Sequence, residues 1–178
     1  TVAEEVGAHP IAMAFARSVE QIGIERFVWE AAEAGASAVL VPDIDEEERF
    51  RLHEAAVQAG IETVRFQGAE EAEKELFGSE AFIYLQTANM PTGGRFEPTE
   101  ALARRLYSLR AESRIGGEPV PLAVGFGIRS REDVVAAHRL GADIAVVGTA
   151  MVESAQAGLG SFSLYIRSLT QGNRKDRD

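Results

Sequence analysis

The chain has 178 residues, 46% of them hydrophobic and 26% charged, the size and balance of one globular domain that can bury a core. Zero cysteines exclude disulfides and thiolate metal sites, and His9, His53 and His138 are too scattered for a ligand set, so neither a metal nor a cofactor is expected. A net charge of -10 argues against nucleic acid as the main partner. No apolar run approaches the roughly 20 residues of a membrane helix and no signal-peptide pattern opens the chain, so a cytoplasmic location is expected.

The opening, Thr1-Val2-Ala3-Glu4-Glu5-Val6-Gly7, reads as the end of a helix. Truncation or processing accounts for it better than an N-terminal threonine nucleophile. A strand is expected over 10–16. A helix follows, on the stripe Ile24, Phe27, Val28 and Ala31 at i, i+3, i+4 and i+7; Trp29 lies off that stripe. Further strands are expected at 37–42, 62–66, 81–86, 119–125 and 143–147, and helices at about 46–59, 69–77, 98–114, 131–140 and 161–170. Three segments repeat one design: AAEAGASAVLV (31–41), AAVQAGIETVRF (55–66) and AAHRLGADIAVV (136–147). In each a helix end meets a glycine suited to the left-handed C-cap (Gly35, Gly60, Gly141), and a β-branched run follows. Such alternation marks helices between buried parallel strands. The polar tail 171–178 is expected to be flexible.

Six modules fit either an open doubly wound sheet or a (β/α) barrel. They are too few for the usual eight-stranded barrel. The expectation is one domain over 1–178, an α/β TIM-barrel-type fold incomplete by about two modules at the front. A barrel short of two strands exposes strand edges, and homo-association is then expected.

The stretch PLAVGFGIRSREDV (121–134) runs from a strand through Gly125-Phe126-Gly127 into a helix opened by Ser130, with Asp133 placed for a near-capping box. Glycines there either let the backbone approach an anion or only close a tight turn. A second glycine site tips the balance. Gly148-Thr149 follows the next strand, and Ala150-Met151-Val152 starts a short extra helix; in (β/α) barrels the loops after the last two strands form the common phosphate site. The connection 86–99, QTANMPTGGRFEPT, is long and reads as a lid or a disordered excursion. Its Gly93 and Arg95 are candidates for the same phosphate, Arg95 equally for a solvated surface position. Asp43 ends the VPD strand, either facing the active site or capping the helix that starts near Asp45.

The run Gly23-Ile24-Glu25-Arg26-Phe27, then Val39-Leu40-Val41-Pro42-Asp43-Ile44, Tyr84-Leu85 with Thr92-Gly93, VGFGI at 124–128 and VGTAMV at 147–152, resembles the tryptophan synthase α subunit in order over about residues 8–170. The resemblance implies a barrel that cleaves indole-3-glycerol phosphate to indole and glyceraldehyde 3-phosphate and passes indole to a pyridoxal-phosphate β subunit. It implies a phosphate held at Gly93, Gly125, Phe126, Gly127, Gly148 and Thr149, with Thr92 as the lid threonine and Phe15 and Asp43 in the pocket. The two catalytic carboxylates of the family, a glutamate and an aspartate, are expected before Thr1. Arg17-Ser18 stands where the family has Asn-Pro, Phe15 where it has tyrosine, and Asp45 where it has proline. These departures keep two alternatives open: a non-catalytic phosphate-binding homologue that acts as a regulatory or partner subunit, and a sister phosphate-binding barrel enzyme.

Overall fold

The computed structural model describes residues 5, 7–68, 76–86 and 94–170. In chain order the elements begin β1 (Ile11–Met13), α1 (Ala16–Ile22), α2 (Ile24–Glu33), β2 (Ala38–Leu40), α3 (Glu46–Ala59), β3 (Glu62–Gln67) and β4 (Glu80–Gln86). They continue α4 (Glu100–Glu112), β5 (Arg114–Ile115), β6 (Glu118–Pro119), β7 (Leu122–Gly125), α5 (Arg131–Arg139), β8 (Ile144–Ala145), α6 (Thr149–Gln156) and α7 (Leu159–Thr170). They fall into two compact units, residues 1–67, 71–84 and 112–120 in the first and 68–70, 85–111 and 121–178 in the second.

In the first unit the strand order is β1-β2-β3-β4, parallel in β1–β2 and β2–β3. Side chains on a strand alternate between faces, and β2 divides its residues accordingly. Val39 and Val41 pack with Val19, Ile24, Val28, Leu52 and Ala56 of the helices. Ala38 and Leu40 point the other way, to Val64, Phe66, Ala81, Phe82 and Tyr84. The stripe on α2 buries Ile24, Val28 and Ala31 as its spacing predicts. Helix α3 starts at Asp45, whose side chain accepts from the Glu48 amide at 2.8 Å, and ends at Gly60 in the left-handed region. Three glutamates fill its first turn, where the helix dipole favours negative charge.

In the second unit β7 and β8 pair in parallel, Ala123 beside Ile144 and Val124 beside Ala145. Asp143 fixes that register. Its amide donates to Leu122 O at 2.8 Å, and its Oδ2 accepts from Leu122 N at 2.9 Å and from the Arg110 guanidinium at 2.7 Å. Arg110 also donates to Gly141 O at 2.7 Å, so one ion pair joins α4, the entry to β7 and the turn before β8. Helix α4 buries Leu102, Leu106 and Leu109.

Two features differ from the sequence reading. The segment between β1 and β2 holds two helices, because Gly23 at φ +88° and ψ 140° ends α1 and opens α2. The strand expected over 119–125 begins at Leu122; before it Arg114 pairs antiparallel with Pro119 and Ile115 with Glu118, around Gly116 and Gly117, both at positive φ. That turn needs φ values only glycine adopts cheaply. Of the helix expected over 69–77, residues 76 and 77 lie outside any helix and the remainder is outside the described residues, as is the tail 171–178.

Replacing Asp143 by alanine leaves the Leu122 amide and Arg110 without their shared acceptor. The ion pair is about 40% exposed, so we expect a loss of about 1–2 kcal/mol. Urea unfolding reads the loss, with faster hydrogen exchange at the Leu122 amide.

Candidate functional site

The second unit brings together five residues singled out by the sequence. Because β7 and β8 are parallel neighbours, the loops that leave their C-terminal ends, Gly125-Phe126-Gly127 and Gly148-Thr149, emerge on the same side. Phe126 is held at φ +76°, a conformation that costs a bulky side chain roughly 1–3 kcal/mol and that gathers at binding sites. Gly127 follows at φ +79°. Its carbonyl accepts from the Phe96 amide at 3.1 Å. A methyl group on Gly127 would lie 2.3 Å from Phe96 N and 2.4 Å from the carbonyl carbon of Arg95, so no other residue fits here without moving the backbone. Arg95 and Phe96 are therefore seated on the Gly-Phe-Gly loop.

The loop is braced on its far side. Asp133 Oδ2 accepts from both Arg129 N and Ser130 N at 2.9 Å, and Ser130 Oγ accepts from Asp133 N at 3.2 Å; the near-capping box of the sequence is a complete one. Tyr165 of α7 donates its hydroxyl to Arg129 O at 2.7 Å, and the Arg129 guanidinium pairs with Glu153 of α6. Burial raises the pKa of the Tyr165 phenol. Helix α6 has Gly148 at its N-cap, no side-chain cap and no acidic residue in its first turn. Met151 N and Val152 N both donate to Gly148 O, at 2.9 and 3.2 Å, and the positive end of the helix dipole, with no acid beside it, is favourable to an anion. Gly148 has open space where a Cβ would stand. Thr92 and Gly93 lie outside the described residues.

Phe15 and Asp43 belong to the first unit, where the structure brings them together. Asp43 Oδ1 accepts from the Ala16 amide at 2.8 Å, tying the end of β2 to the start of α1 directly behind Phe15. Capping of α3 falls to Asp45, which resolves the two readings of Asp43 against the cap. Ile11, Met13 and Phe15 are 40%, 56% and 59% exposed. Ile11 and Met13 register with Ala38 and Leu40, so they share the sheet face that carries Phe66 and Tyr84, whose rings meet edge to face at 5.5 Å. Burial pushes the Tyr84 phenol above its ordinary pKa. Tyr84, named in the sequence only for its part in the resemblance, belongs to this face. Its signal was the alternation Phe82, Tyr84 on one face of β4 against Ile83, Leu85 on the other.

Two cavities lie beside these features. One of about 20 Å³ in the first unit is lined by Arg49, Thr63, Arg65, Phe77 and Glu80 among others, and has room for about one water. The other, about 410 Å³ in the second unit, runs along Ile144 and Ala145 under Val134, Ile166 and Leu169 and reaches the glycine loops only at Val147 and Met151. Among the described residues no cluster of metal-ligating side chains is present and no helix is long and apolar enough to cross a membrane.

The model of the tryptophan synthase alpha chain family matches residues 2–172. The chain belongs to that family. It is 35% identical over 156 residues to the tryptophan synthase alpha chain of Synechococcus sp., covering 85% of this chain and 56% of the relative. It is 34% identical over 167 residues to that of Caldicellulosiruptor saccharolyticus, covering 90% and 64%. The chain thus spans between half and two thirds of the length of these relatives. Among solved structures it is similar to Mycobacterium tuberculosis tryptophan synthase, with a TM-score of 0.77, 21% identity and coverage of 93% of this chain and 63% of that one. It is also similar to the tryptophan synthase A-subunit of Pyrococcus furiosus, with a TM-score of 0.74, 24% identity and coverage of 91% and 66%. The fold is accordingly of the (β/α) barrel type.

Two substitutions separate the packing role of one glycine from the open position of the other. Gly127→Ala should cost more than about 2 kcal/mol and expose the Phe96 amide to exchange, whereas Gly148→Ala should cost less than about 1 kcal/mol; chemical unfolding of both variants reads the difference. Because the folded Tyr84 phenol titrates above the unfolded one, its contribution is fully present below about pH 10 and is lost as pH rises through the folded value. Tyr84→Phe should flatten that alkaline decline in a pH series of melting curves.

Proposed function

We propose that the chain carries the phosphate-binding and ring-binding parts of a tryptophan synthase alpha-type carbon–carbon lyase, acting on indole-3-glycerol phosphate. The single observation that supports this most is the convergence of Gly125-Phe126-Gly127 and Gly148-Thr149 on one side of β7 and β8, in a chain whose family membership runs through both loops. Main-chain N–H groups at those glycines, with Thr92 and Gly93 of the lid, would hold the glycerol phosphate end. The apolar face bearing Phe15, Leu40, Phe66 and Tyr84 suits a flat indole ring. Asp43 would act there by fixing the backbone behind Phe15.

In the retro-aldol step one acid protonates the indole carbon and one base removes a glycerol hydroxyl proton; the carbon–carbon bond breaks to give indole and glyceraldehyde 3-phosphate. The resemblance assigns both groups to carboxylates outside this sequence, so the residues present here bind, orient and exclude water. Indole is then the natural product to hand to a pyridoxal-phosphate β subunit, in keeping with the solved tryptophan synthase complex of Pyrococcus furiosus, to which the chain is similar in fold.

The second reading, a phosphate-binding homologue without catalysis, draws on Phe15 and on Arg17-Ser18, which change positions that the resemblance places at the pocket. Calorimetric titration with glycerol 3-phosphate and an indole-release assay on indole-3-glycerol phosphate, with and without a β subunit, separate the two. Binding is the expected result for this chain, and indole release the expected result for a protein that carries the two carboxylates as well. Binding without indole leaves the regulatory reading standing, and failure to bind overturns both.

A further inference from the structure

The glycine loops supply N–H dipoles but no net charge, and the chain around them is acidic, at -10 overall. A phosphate monoester carries close to two negative charges at neutral pH. The guanidinium that belongs to the Gly-Phe-Gly loop, Arg129, is already paired with Glu153. A cation beside the loops would strengthen the attraction for a dianion, and the contact at Gly127 brings the main chain of Arg95 to the Gly-Phe-Gly loop. Arg95 is held there by its own main chain: its carbonyl carbon and the next amide, Phe96 N, are the atoms that leave no room for a side chain on Gly127, and Phe96 N donates to Gly127 O at 3.1 Å. Phe96 beside it is buried while Arg95 is exposed. Among the described residues Arg95 makes no hydrogen bond or ion pair.

We propose that Arg95 is a further binding residue of this site, one that selects a phosphate dianion over neutral or singly charged ligands. The assignment rests on the proposed phosphate site and adds to it a charged contact. Loops made of backbone N–H groups bind by short-range dipoles; a guanidinium adds a longer-range attraction that responds to salt and to the charge state of the ligand. Fixing the main chain of Arg95 against Gly127 lowers the ordering cost of that contact, since only the side chain remains to be immobilised.

The test uses the full chain and glycerol 3-phosphate, with affinity measured by calorimetry. Arg95→Gln should weaken binding about tenfold, lessen its dependence on salt, and lessen the gain in affinity as the pH rises through the second phosphate pKa near 6. Arg95→Lys should recover most of the loss. Arg131→Gln removes the same charge from the first turn of α5, which makes no backbone contact of this kind, and should change affinity less than about twofold. Equal affinity of the unaltered chain and Arg95→Gln overturns the assignment while leaving the phosphate site intact. So does an equal loss in Arg95→Gln and Arg131→Gln, which would reduce the effect to overall charge. Absence of binding by the unaltered chain overturns the phosphate site and the role of Arg95 with it.

Discussion

A parallel strand has to bury both of its faces, and in the first unit that demand organises everything around β2. Val39 and Val41 take the helices; Ala38 and Leu40 take the opposite side. Ala12, Ala14 and Ala16 are small enough to bring β1 against the helix-side cluster, which commits Ile11, Met13 and Phe15 to the other face by alternation alone. The result is a sheet face furnished with Phe66, Phe82 and Tyr84 in addition. Its chemistry is nearly all apolar, with one phenol.

Carboxylates recur in this acidic chain in a particular use. Asp43 receives the Ala16 amide, Asp45 the Glu48 amide, Asp133 the amides of Arg129 and Ser130, and Asp143 the Leu122 amide. Glu80 does the same with the amides of Phe77 and Gly78, at 2.6 and 2.9 Å. Each neutralises part of its charge on backbone donors at a strand end or helix start, where a lost amide partner costs most. The N-terminus of α6 departs from this pattern, with Gly148 in the cap position and no acid in the first turn. An anion arriving there would meet the positive end of a helix with no acid in its first turn, whereas α3 and α5 each carry acids at that end.

The legible parts of the sequence were those governed by local chemistry. Helix α3 lies over 46–59 as read, because Asp45 and Gly60 stop it at both ends. Ser130 and Asp133 announced their capping box, and Gly148-Thr149 its short helix. The split at Gly23 was not legible: the apolar stripe of α2 continues smoothly past it, and only the backbone angle reveals two helices. The same holds for the hairpin at Gly116-Gly117, whose neighbours carry no alternating pattern. Asp43 and Asp45 stand two residues apart with equal claims to the cap, and the choice between them rests on Ala16, which is 27 residues away from Asp43. Phe126 was legible as a loop residue but not as one with positive φ, since aromatic residues seldom adopt it.

The contact between Phe96 and Gly127 also sets where this chain can tolerate a change of length. Four residues after Phe96 comes α4, whose Leu102, Leu106 and Leu109 reach the core from one side. An α-helix turns by about 100° per residue. A single residue inserted between Phe96 and Glu100 would therefore have to be absorbed within three positions, or it would rotate all three leucines away from their neighbours. The approach to those leucines is thus fixed upstream by one backbone hydrogen bond, from Phe96 N to Gly127 O.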